Sequence, residues 1–243
     1  MGSTSRVVLV TGGTAGIGAT ISEALLAAGY RVAVNYGHNV EVADLFEART
    51  GINAFAWNVA DPQACRDGIA RVQSALGPVE VLVNNAEITH DVMRHKMTEW
   101  QWREVVDVDL SGCFNMCRSV IDGMRERHFG RIVNISSVNG LSGEVGETNC
   151  AAAKAGMIGL TRSLALEGAA RNITANAMTP GYTDTAMLNS IRPEVMAQVL
   201  KAVPWGCLTT QDEIARGVVY LVADGAGFIN GATLSMNGGK YLA

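Results

Sequence analysis

The chain has 243 residues, of which 48% are apolar and 17% charged, with 19 Lys or Arg against 23 Asp or Glu and a formal charge of −4. That composition supports a sizeable core and excludes intrinsic disorder, and the length suits one large α/β domain. No basic block marks a nucleic-acid surface, and no apolar run is long enough to span a membrane. Residues Met1–Arg6 lead into an apolar stretch without a signal-peptide pattern. The five cysteines (Cys65, Cys113, Cys117, Cys150 and Cys207) lack metal-ligand spacing and read as free thiols. A cytoplasmic protein without a metal site is expected.

Short apolar runs alternate with amphipathic stretches along the whole chain. A strand over Val7–Thr11 is followed by a helix over Gly16–Ala28, and a strand over Arg31–Asn35 by a helix over Val40–Arg49. Asn53–Asn58 precedes a helix over Pro62–Leu76, and Glu80–Val83 precedes one long helical pattern, Glu99–Glu126. Arg131–Ile135 precedes a helix over Ala151–Ala169. After a strand over Thr174–Met178 comes the longest irregular stretch, 181–204, where a substrate lid is expected. A helix over Thr210–Leu221 and a strand over Thr233–Met236 close the chain. Strand–helix alternation of this kind implies a parallel sheet with helices on both faces.

The first strand ends in Thr11-Gly12-Gly13-Thr14-Ala15-Gly16-Ile17-Gly18. A glycine-rich run between a first strand and a helix is the setting in which backbone amides cradle a dinucleotide's pyrophosphate. Gly12 permits the sharp turn, Gly16 lets the backbone approach phosphate, and Gly18 lets the helix pack closely. The second strand runs out through Val34-Asn35-Tyr36-Gly37-His38 without the carboxylate that would accept the ribose hydroxyls of NAD(H), so NADP(H) is favoured.

The TGxxxGxG spacing, with Asn58-Val59, Asn84-Asn85-Ala86, Ser137, Lys154 and Pro180-Gly181 following in order, resembles the short-chain dehydrogenase/reductase family over the whole chain. Within it the sequence most resembles acetoacetyl-CoA reductases, then β-ketoacyl carrier-protein reductases, through Gly130–Gly140, Lys96-Met97-Thr98 and Gly227, Phe228 and Gly231. The resemblance implies a single Rossmann-type domain whose doubly wound, seven-stranded parallel sheet has the order 3-2-1-4-5-6-7. It implies a cofactor site of Gly12, Thr14, Gly16, Ile17, Gly18, Asn35 and Tyr36, with Asn58 and Val59 near adenine. Asn85 and Ala86 would lie near ribose, Pro180 and Gly181 beside the cofactor, and Thr183 and Thr185 near the nicotinamide amide. A small-molecule substrate and a homotetramer packed through the two long middle helices are also implied.

The family's catalytic set is Asn, Ser, Tyr and Lys, and here the pattern breaks. Ser137 and Lys154 fit their positions, but the tyrosine position holds Cys150 and the asparagine position Asp109. The usual NNAG turn ends in Glu87, and two usual glutamines are Glu144 and Glu147. Cys150 is a poor general acid: its sulfur reaches less far than a phenol oxygen, and Lys154 is expected to favour the thiolate. Four carboxylates would oppose an alkoxide and attract a cation. Three outcomes stay open: a weakened carbonyl reductase, a redirected imine reductase, and an inactive cofactor-binding homologue. Tyr182, at the lid base, is a further candidate for the substrate pocket, and Trp100 and Trp102, at the start of a long helix, are expected to pack against the protein instead of stacking on a substrate.

Overall fold

A computed structural model describes residues 6–185 and 193–242. Seven parallel strands form one sheet in the order β3-β2-β1-β4-β5-β6-β7. They are β1 Val7–Thr11, β2 Arg31–Tyr36, β3 Asn53–Ala56, β4 Val79–Asn84, β5 Gly130–Ile135, β6 Ile173–Pro180 and β7 Thr233–Met236. The central strands are near-continuous apolar runs because helices cover both faces. In β1, Val7 and Leu9 point into one core layer and Val8 and Val10 into the other, as the two-residue strand period requires.

The helices are α1 Gly16–Ala27, α2 Val40–Thr50, α3 Pro62–Leu76, α4 Glu99–Val105, α5 Gly112–Arg127, α6 Asn139–Ser142, α7 Thr148–Gly168, α8 Pro193–Lys201 and α9 Gln211–Val222. One layer holds Ile69 of α3, Met116 of α5 and Met157 of α7. The opposite layer holds Ile21 and Leu25 of α1, Phe46 of α2, and Ile214 and Val218 of α9. Local chemistry sets the ends. Asp61 caps α3 by accepting from the Gln63 and Ala64 amides, with Pro62 at the first position, and capping boxes start α4 (Thr98/Gln101) and α9 (Thr210/Glu213).

Three expectations change. The helix expected over Glu99–Glu126 contains a wider π-helical segment, Val106–Ser111, between α4 and α5. Part of the expected lid is regular: α8 lies inside 181–204, while residues 186–192 lie outside the described residues. Trp100 and Trp102 do not enter the core. Trp100 is 60% exposed and lies tilted over the His90 ring, and Trp102 is exposed as well. No helix among the described residues is long and apolar enough to cross a membrane.

The sheet reverses winding between β1 and β4, and a crevice opens there at the strands' C-terminal ends. Below it, hydrogen bonds link buried polar side chains. Asn84 Nδ2 donates to Asn134 Oδ1 at 2.8 Å, Asn134 Nδ2 donates to Thr161 Oγ1 at 2.8 Å, and Thr161 Oγ1 donates to the Met157 carbonyl at 2.7 Å. These bonds tie β4 to β5 and β5 to α7. An Asn134→Ala variant removes a hydrogen-bond partner from both the Asn84 amide and Thr161, and it is expected to lose roughly 2–4 kcal/mol of stability in urea unfolding.

Candidate active site

The glycine turn has the conformation its residues suggest. Gly12 and Gly16 take left-handed φ values of +60° and +52°. A Cβ on Gly12 would lie 3.0 Å from the Ala86 Cα, so the turn and the end of β4 meet backbone to backbone. Gly16 faces open space, and α1 starts there without a side-chain cap or an acid in its first turn. Its free amides and the dipole's positive end fit a pyrophosphate. Thr14 and Ile17 are half-buried beside it. Gly18 is needed for a different neighbour than the sheet: a Cβ there would sit 2.2 Å from the Gly12 carbonyl oxygen.

Across the crevice, Thr11 Oγ1 accepts from both the Asn85 and Ala86 amides at 3.0 Å, and Asn85 Nδ2 donates to the Thr11 and Gly12 carbonyls. Exposed Asn58 accepts from the Ala60 amide, while buried Val59 packs where Gly112 leaves room. Gly181 lies against Asn237, the buried Pro180 carbonyl accepts from the Val138 amide, and Thr183 is buried. Thr185 and Tyr36 are half-buried. The Asn35 side chain is buried, with its amide bonded to the Trp57 and Tyr36 carbonyls, so it braces β2.

The reactive end lies where α7 crosses the top of β5. Gly140 of α6 touches the α7 backbone at Lys154, and Ser136 Oγ donates to the Lys154 carbonyl at 2.8 Å, which locks that turn of α7. The Lys154 ammonium donates to the Ile135 carbonyl at 3.0 Å and forms a 2.7 Å ion pair with Glu87 Oε2. The Lys154 side chain is 1% exposed and that of Glu87 49%. Burial opposes the lysine's charge, but Glu87 and Asp109 outweigh it and hold its pKa above the ordinary value. Ser137, just beyond β5, is half-buried, and its hydroxyl accepts from the Asn139 amide at 3.1 Å.

Asp109 lies in the π-helical segment and is 1% exposed. One carboxylate oxygen accepts from the Ile88 amide at 3.0 Å, and the other is buried without a partner. Burial, with a contribution from Glu87, pushes its pKa up to about 6 against the pull of Lys154.

Cys150 carries a correction. Burial pushes its thiol up to about 12 against the pull of Lys154, with smaller contributions from Asp109, Glu87 and Glu147, so the thiol stays protonated where a thiolate was expected.

Glu144 and Glu147 are not bare charges either. Glu144 Oε2 accepts from Tyr182 Oη at 3.1 Å and from Lys240 Nζ at 3.0 Å, and the Lys240 ammonium lies 4.0 Å from the centre of the Tyr182 ring. Burial works against the Glu144 charge, but the bonds from Lys240, the Val145 amide and Tyr182 hold its carboxyl below the usual range. Glu147 accepts from Asn139 Nδ2 at 2.7 Å, and burial raises its pKa. Lys240, 96 positions from Glu144 in the chain, is the member that local sequence patterns do not reveal. Among the described residues no His, Cys, Asp or Glu set could hold a metal.

A glycine turn, an uncapped helix start and a buried lysine at the switch point of a doubly wound parallel sheet define a Rossmann-type α/β protein. A family model described as short chain dehydrogenase matches residues 6–196. The chain is 55% identical to an acetoacetyl-CoA reductase of Rhizobium meliloti over 98% of this chain and all of that protein. It is 54% identical to one of Shinella zoogloeoides, over 98% and 99%, and 37% identical to a 3-oxoacyl-[acyl-carrier-protein] reductase of Escherichia coli, over 98% of each. The chain belongs to the short-chain dehydrogenase family.

Asp109 generates a pH prediction. Its folded pKa of about 6 lies above its ordinary value of 3.8, so between those values the folded chain holds a proton that the unfolded chain releases. Stability therefore falls as pH rises through that window. Asp109→Asn removes the buried charge and keeps an acceptor for Ile88. At pH 7.5 it is expected to be more stable than the parent by on the order of 2 kcal/mol. Thermal melts should show the difference shrinking as pH falls from 6 toward 4.

Proposed function

We propose that this chain is a cytoplasmic, NADP(H)-preferring reductase of acetoacetyl-CoA reductase type, whose carbonyl reduction is weakened by Cys150 and Asp109. The observation that carries this reading is the buried Lys154 ammonium, fixed above β5 by the Ile135 carbonyl and one helical turn from position 150. Full-length similarity to proteins named acetoacetyl-CoA reductase supports the substrate class. The lack of a carboxylate at Asn35–His38 supports NADP(H). Exposed Phe114 on α5 and Leu166 on α7 support a homotetramer packed through those helices.

Gly12, Thr14, Gly16, Ile17 and Gly18 would bind the pyrophosphate, Asn58 and Val59 would flank adenine, and Tyr36 would border the adenosine ribose. Asn85, Ala86 and Lys154 would hold the nicotinamide ribose, with Pro180, Gly181, Thr183 and Thr185 around the ring's amide. A bound nicotinamide supplies the hydride. Ser137 donates a hydrogen bond to the substrate oxygen and steadies the charge that develops there. Cys150 remains a neutral, weak donor in place of a phenol, so the step lacks an effective general acid. The imine reading needs unpaired carboxylates facing a cation, and the lysine partners of Glu87 and Glu144 argue against it.

The test is consumption of NADPH and NADH with acetoacetyl-CoA by the parent and by Cys150→Tyr. Restoring the phenol is expected to raise kcat by about 10²–10⁴ while the cofactor's KM changes little. A tyrosine variant that folds and binds NADPH yet gains nothing overturns the assignment.

A further inference from the structure

The Lys154 ammonium has three hydrogens. One is bound to the Ile135 carbonyl and a second to Glu87, which leaves one. The proposed function, on which this inference rests, requires Lys154 to hold the hydroxyls of the nicotinamide ribose. One free hydrogen cannot hold two hydroxyls while Glu87 stays paired, so the two demands converge on a single cation. Lys154 cannot move to meet the second demand: its side chain is buried, its ammonium is tied to β5, and its own carbonyl is bonded to Ser136. Glu87 can move, because half of its side chain lies in solvent at the crevice edge.

We propose that Glu87 is a cofactor gate, a positioning residue that occupies Lys154 in the free protein and must be displaced by the nicotinamide ribose when the dinucleotide binds. It stands directly after Asn85 and Ala86, on the crevice wall that the ribose would line. Burial of the lysine makes the pair harder to break than a surface pair, since a displaced Glu87 leaves the ammonium with only the neutral Ile135 carbonyl, the ligand's neutral hydroxyls and the field of Asp109. The gate therefore weakens the nicotinamide half's contribution to binding and leaves the adenine half's untouched.

Calorimetric titration of NADPH, and separately of adenosine 2′,5′-bisphosphate, tests this. The second probe carries the adenine half and no nicotinamide ribose. Glu87→Gln keeps the side chain's size and removes its charge, and Glu87→Gly removes the side chain. Both are expected to tighten NADPH roughly three- to ten-fold and to leave the bisphosphate within about two-fold. In a Lys154→Met background the gain from Glu87→Gln should vanish, because the effect passes through the lysine. If that double variant does not fold, the two-probe comparison decides alone.

An equal gain for both probes means that Glu87 acts only as a distant charge on a polyanion, and the gate is overturned. Tight NADPH binding by the parent with no gain in either variant also overturns it, while the cofactor reading survives. If neither probe binds the parent or either variant, the cofactor reading and the gate fall together.

Discussion

A buried ammonium must be held by fixed acceptors or lose its charge, and in this chain that constraint organises the reactive end of the fold. Lys154 lies in the interior and stays cationic because the Ile135 carbonyl and Glu87 reach it and Asp109 adds its field. Each partner depends on a different part of the architecture. Ile135 is placed by the end of β5, Glu87 by the turn after β4, and Asp109 by the π-helical segment that leads into α5. The lysine itself is held by the close approach of Gly140 to α7 and by the bond from Ser136. Any displacement among these elements is felt at one atom.

The acidic replacements take on a different meaning once their partners are known. As a set they suggest a pocket that repels negative charge. Glu87 is paired with Lys154, Glu144 with Lys240, and Glu147 is hydrogen bonded to Asn139. Of these four carboxylates only Asp109 keeps a buried oxygen without a partner among the described residues, and burial raises its pKa. The substitutions thus rearrange charge in pairs more than they accumulate it. Tyr182 belongs to the Glu144–Lys240 group, and its phenol donates to the Glu144 carboxylate.

Below the crevice, Thr11 holds the two walls together by accepting from the Asn85 and Ala86 amides, and the Asn84–Asn134–Thr161 chain carries that connection through β5 into α7. A buried hydrogen-bonded network of this kind favours one register and one strand order. The glycine turn and the lysine therefore keep a fixed spacing although they lie on elements far apart in sequence.

Much of this was legible in the residues alone. Strand–helix alternation and β-branched runs determine the parallel sheet, because both follow from local periodicity and from burial on two faces. The glycine spacing and the motif order locate the crevice and the positions of Ser137, Cys150 and Lys154. Local pattern could also have revealed α8, whose Met196, Val199 and Leu200 follow helical spacing after Pro193. Only the tertiary structure decided the rest. Asn35 turns inward because the Trp57 carbonyl is there to receive it. Trp100 stays exposed against the His90 ring, and Cys150 keeps its proton because burial, helped by nearby carboxylates, outweighs one lysine. Charges and pKa values depend on which side chains meet in space, and residues such as Glu144 and Lys240 meet only after the chain has folded.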